Sequence, residues 1–142
     1  MNKLDHKPRA LILRLLVEGN SIRAESRVAD VSKNTVSKLL IAAVKACAEF
    51  HDANVRGVEA KHVQADEIWA FCYAKEKNVK GAKAAPEDAG DIRTWTAIDR
   101  DSKLMISYTV GDRSRHTARE LMFDLAGRLA NRVQLTTDGL GG

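Results

Sequence analysis

Apolar residues in the first third of the chain cluster into helix-like runs. The first comprises Ala10-Leu11-Ile12-Leu13 and Leu15-Leu16-Val17, opens behind Pro8 and stops at Gly19. Proline in the first turn and glycine just past the last turn are the usual helix punctuation. Asn20 or Ser21 then caps a short helix carrying Ile22, Ala24 and Val28, which breaks at Asp30-Val31-Ser32. Ser32 is the expected N-cap of a third helix, since its hydroxyl can accept from a first-turn amide. Val36, Leu39, Leu40, Ala43, Val44, Cys47 and Phe50 follow at steps of three and four, which puts them on one face.

The period then shortens. Residues 63–72, 94–99, 104–110 and 132–138 read as four strands, with a hairpin-like turn at Arg100-Asp101-Ser102-Lys103. Between the third and fourth, Thr117-Ala118-Arg119-Glu120 has the form of a capping box. It opens a helix with Leu121, Met122, Leu125, Ala126 and Leu129 on one face. The order β-β-β-α-β implies three antiparallel strands and a helical crossover that can set the fourth strand parallel beside the first. This is how an RNase H-like fold begins. Its helix would cover one face, leaving Trp69 or its neighbours partly wet on the other. Residues 74–91, rich in Lys, Glu, Ala and Gly, read as a long exposed loop, and its lysines (Lys75, Lys77, Lys80 and Lys83) could touch nucleic acid, a solvated loop being the plainer reading. The expected class is thus mixed α and β (α+β or α/β): a three-helix domain over residues 1–58 and a partial RNase H-like domain over 59–142.

Composition and charge narrow the function. At 44% hydrophobic and 30% charged the chain is too apolar for a disordered protein. Its longest apolar run, Leu39 to Val44, is too short to span a bilayer. The first five residues have no apolar signal region, and two cysteines make no disulfide framework, so a reducing, cytoplasmic setting is expected. Residues 1–58 hold 10 Lys/Arg against 6 Asp/Glu, whereas 59–142 hold 13 of each, so the net charge of +4 lies in the helical part. That suits a nucleic-acid-binding module. Val28 to Leu39 meets the physical requirements of a helix-turn-helix, with Val31 and Val36 turned to the core. Ser32, Lys33, Asn34, Thr35, Ser37 and Lys38 remain polar at the end that would enter the major groove of double-stranded DNA. Asp30 stands where such turns usually carry glycine, and aspartate tolerates the left-handed conformation better than most residues.

Two carboxylates carry the candidate chemistry. Asp66 falls inside a strand that reads as core, where a lone carboxylate needs a partner or a metal. Asp138 ends the fourth strand beside Gly139. If the first and fourth strands are parallel neighbours, roughly 5 Å apart, the two converge at one rim. Such hard oxygen ligands suit Mg²⁺ or Mn²⁺ and phosphoryl transfer. Strand alternation turns Glu67 to the opposite face, away from such a metal. A rival zinc set, Cys47, His51, His62 and Cys72, has spacings that match no common finger.

Several ordered blocks resemble bacterial insertion-sequence DDE transposases of the kind that join a helix-turn-helix to an RNase H-like catalytic domain. They are Gln64 to Lys75, Thr94 to Asp99, Val110-Gly111-Asp112-Arg113 and Leu129 to Gly139, with Val17 to Arg23 in the helical part. The resemblance implies that Asp66 and Asp138 are the first and second acidic residues of the catalytic triad. It also implies Mg²⁺, and cleavage and strand transfer at terminal inverted repeats into target DNA, with a possible homo-oligomer. In that family the third carboxylate lies further along. Here no acidic residue follows Asp138, so the sequence reads as an N-terminal fragment. Three outcomes stand open: an enzyme, a non-catalytic repeat-binding protein or transposition inhibitor, and a decayed product with neither activity.

Overall fold

The computed structural model describes residues 4–138, and the chain divides into two compact units, residues 1–54 and 55–142. The first holds α1 (His6–Val17), α2 (Ile22–Val28) and α3 (Lys33–Asn54). Gly19, at φ +80°, ends α1 in a left-handed turn. Its amide donates to the Leu16 carbonyl and that of Asn20 to Leu15, satisfying two orphan carbonyls. Ser21 is the cap of α2, accepting from the Ala24 amide at 3.2 Å. Asp30 ends α2 in the same left-handed manner, at φ +51°. The Val31 amide donates to the Ser26 carbonyl, and the Ser26 hydroxyl donates to the carbonyl of Val31. Ser32 caps α3, accepting from the Thr35 amide at 3.1 Å.

Ile12 and Val36 are fully buried in this unit. The apolar face expected along α3 is only half used. Val44 and Phe50 are 58% and 69% exposed, and Cys47 is exposed. The reason is length: at about 1.5 Å per residue the 22-residue α3 far outruns the 12-residue α1 and 7-residue α2 packed against it. The position the sequence did not mark is Glu25, which has no accessible surface and no hydrogen-bond partner for either carboxylate oxygen. Burial pushes its carboxyl above the usual range. A folded pKa raised above the unfolded one costs stability as pH rises from the unfolded value through the folded one. Glu25→Gln is therefore expected to stabilise this unit by about 1 kcal/mol at neutral pH. It should also flatten the decline in melting temperature as pH rises through the carboxylate range, which thermal unfolding across pH would measure.

The second unit contains β1 (His62–Cys72), α4 (Glu76–Val79), β2 (Gly90–Asp99), β3 (Met105–Gly111), α5 (Arg115–Arg128) and β4 (Gln134–Thr137). The described residues thus form a mixed α and β protein of five helices and one four-stranded mixed sheet. The sheet order is β3-β2-β1-β4, with β1 antiparallel to β2, β2 antiparallel to β3, and β4 parallel to β1. α5 makes the crossover and packs on β2 and β3. Val63, Trp95, Ala97, Ile106, Leu121 and Leu125 form the core between them. Ile106 and Ser107 are neighbours in sequence and both buried, which a β-bulge at the register shift between Ala97 and Ile98 makes possible.

Local expectations change in three places. The cap of α5 is Ser114, which accepts from the Thr117 amide; Thr117 lies inside the helix, where its hydroxyl donates to Asp112. Residues 74–91 are not all loop, since they hold α4 and the start of β2, tied by the Glu76 amide donating to Asp91. Ala126 of the expected helix face is exposed. The turn at residues 100–103 forms as expected, with Lys103 at φ +63° and the buried Asp99 accepting from the amide and hydroxyl of Ser102. Ahead of β1, Val58 bridges to Leu129, and Asn131 binds both the amide and the carbonyl of Ala60, at 3.1 and 2.7 Å.

Candidate functional site

Strand alternation sorts β1 into two faces. Val63 and Ala65 are buried toward α5 and Glu67 follows them, while Gln64, Asp66 and Ile68 point the other way and are exposed. Asp66 is therefore not a buried carboxylate, which corrects the expectation from its apolar neighbours. β1 is covered on one face only, and Asp66 lies on the other. The Glu67 amide donates to Asp66 Oδ1 at 2.7 Å. This fixes one oxygen and leaves the second free to turn outward.

Asp138 follows β4 directly and is exposed. The parallel register pairs His62 with Gln134 and Ala65 with Thr137. One step further brings Asp66 alongside Asp138 on adjacent strands, roughly 5 Å apart at the backbone. Both line a shallow cavity of about 400 Å³ together with Gln64, Thr96 and Thr136. Two carboxylates converging there have the hard-oxygen chemistry of a magnesium site, because Mg²⁺ commonly takes one or two carboxylates and fills its shell with water and phosphate oxygens. Among the described residues no group of three or more His, Cys, Asp or Glu side chains comes together. The rival zinc set does not converge either: His62 and Cys72 stand at opposite ends of the 11-residue β1, about 33 Å apart.

A larger cavity of about 660 Å³ opens on the α5 side of the same rim. Asp66 and Thr137 reach it, as do Arg113, Arg115 and Arg119 from the start of α5. Glu67 does not line it but holds one of its arginines, a contact that no sequence pattern marks. It is 13% exposed and lies between Arg113, 3.0 Å from its Oε1, and Arg93, 3.3 Å from its Oε2. The second contact is an ion pair without hydrogen-bond alignment. Trp69 stands on the α5 face, not on the opposite one, and is 43% exposed because β1 runs on beyond the helix. Lys75 sits 5.1 Å over its ring, and Phe71 packs 5.7 Å away.

In the helical unit, Lys33, Asn34 and Lys38 are exposed on the first turns of α3. The hydroxyls of Ser32 and Thr35 bond each other at 2.9 Å and serve the cap, and Ser37 is half-buried. No helix among the described residues is long and apolar enough to cross a membrane. No protein-family model matches the chain, and no curated protein matches it.

Proposed function

We propose that the chain is a DNA-binding protein of the insertion-sequence DDE transposase kind, with α2 and α3 as its helix-turn-helix and residues 55–138 as part of an RNase H-like domain. The observation that carries this reading is that Asp66 and Asp138 line one cavity, each one residue beyond Ala65 and Thr137, the last pair of the parallel β1–β4 ladder. Lys33 and Lys38 meet phosphates, and Asn34 reaches a base edge in the major groove. The partner is double-stranded DNA at the element's terminal repeats and at the target, in the nucleoid. Asp66 and Asp138 would hold Mg²⁺ or Mn²⁺, which when bound supplies Lewis-acid activation of a phosphodiester. The bond from the Glu67 amide orients the Asp66 carboxylate.

A second reading, repeat binding without chemistry, rests on ligand number. Two carboxylates, waters and a phosphate complete one magnesium shell, whereas a two-ion clamp needs further protein ligands. Nicking of a terminal-repeat substrate in Mg²⁺ that disappears in Asp66→Ala supports the first reading; repeat binding with no nicking supports the second. For either, Lys33→Ala with Lys38→Ala should flatten the plot of log K against log salt by roughly two units. An unchanged slope in fluorescence anisotropy would remove α3 as the DNA-binding element.

A further inference from the structure

We infer that Arg113, Arg115 and Arg119 form a phosphodiester cradle beside Asp66, and that Glu67 is the positioning residue that aims Arg113 into it. The inference rests on the proposed function and names the part of the substrate this side of the rim takes: the backbone of the DNA strand next to the phosphate at Asp66. Three observations carry it. All three arginines line one cavity on the α5 side, and it reaches the rim of the sheet at Asp66, whose side chain turns to the other face. Arg115 and Arg119 lie four apart on α5, where like charges repel until an anion lies between them. The amide end of α5 is already served by Ser114 and by Asp112, which accepts from the hydroxyls of Ser114 and Thr117. The guanidinium groups are thus the open donors of the cavity, and their planar forks suit phosphate oxygens.

Glu67 fixes the direction. It is nearly enclosed between β1 and its two arginines, so Arg113, itself 59% exposed, is tethered at its Nε where it lines the cavity. This predicts an effect of inverted sign. Removing a carboxylate from a basic surface strengthens DNA binding by charge alone. Here Glu67→Gln should weaken it, because Arg113 is released.

The test uses the full chain carrying Lys33→Ala and Lys38→Ala, so that binding through α3 is reduced, and a short fluorescent duplex as probe. Replacing Arg113, Arg115 and Arg119 together by alanine should flatten the salt slope by about 0.9 unit for each phosphate no longer neutralised. Glu67→Gln should weaken binding several-fold, and it should have no further effect when Arg113→Ala is already present. A slope unchanged by the triple substitution, or no duplex binding in the Lys33→Ala, Lys38→Ala background, overturns the cradle; a flatter slope on Lys33→Ala and Lys38→Ala alone would then still support the function proposed above. Glu67→Gln that tightens binding, or weakens it equally without Arg113, overturns the positioning role. Inorganic phosphate competing as well as duplex at equal phosphate concentration would show a free-anion site and overturn the strand assignment.

Discussion

Asp66→Ala and Asp138→Ala are each expected to lower the affinity of the chain for Mn²⁺ by on the order of tenfold or more, with the double substitution losing binding altogether. Manganese is the convenient probe because its bound and free forms separate by electron paramagnetic resonance. The expectation follows from placement: the carboxylates share one cavity, on adjacent strands, and no other Asp or Glu among the described residues lines it. Glu67→Gln serves as the internal control. It removes an equal charge one residue away but on the opposite face, so its effect on Mn²⁺ should be small. Equal losses from Asp66 and Glu67 would mean that general charge, not a site, attracts the ion.

Asp124→Ala is expected to be the most damaging single substitution for the second unit. Arg128 is 6% exposed, and its Nε donates to Asp124 Oδ2 at 2.6 Å. Its Nη1 donates to the Val55 carbonyl, and the buried Ser107 hydroxyl also donates to Asp124. Removing Asp124 takes away the carboxylate that accepts from the buried guanidinium at Nε. A cost of about 2–3 kcal/mol is expected, below that of a fully buried pair because Asp124 is 36% exposed. For a domain of this size that is a fall of roughly 10–15 °C in Tm. Burial opposes the charge on Asp124, but the bonds from Arg128 and Ser107 overcome it and hold its carboxyl below the usual range. The stabilisation is therefore present above the unfolded pKa and is lost as pH falls through the lower folded one. Thermal melts from pH 7 downward should show that loss in the parent chain and a flatter profile in Asp124→Ala. A Tm unchanged by the substitution at pH 7 would show that Arg128 finds water instead.

The strands were legible because their patterns are local. The apolar and aromatic content of residues 63–72 and 94–99, and the turn at Arg100 to Lys103, located β1, β2 and β3 to within a few residues. The crossover into β4 followed from chain connectivity. Asp30 was legible too, since left-handed geometry at the end of α2 needs a residue that tolerates it. What stayed hidden depends on partners distant in sequence. Apolar neighbours made Asp66 look buried, but only the position of α5 decides which face of β1 is covered. The same ignorance of neighbours made all of α3's apolar stripe look like core. Ser114 and Thr117 offer equivalent capping hydroxyls in sequence, and Asp112, which takes both, settled the helix start. Glu67 could be placed on a face by alternation, yet its two arginines come from β2 and from the segment before α5.

The Asn131 side chain, bonded to both backbone groups of Ala60, has a reach well beyond its own loop. With the Gln134 amide donating to the Lys61 carbonyl, it clamps the points where β1 and β4 begin. The carboxylates stand four residues further on, about 13 Å away. A slip of one residue at the clamp would carry Asp138 across the sheet, to lie beside Ala65 or Glu67 on the α5 face. The alignment of the two acids is thus decided at the far end of the strands, by an amide side chain that performs no chemistry and touches neither of them.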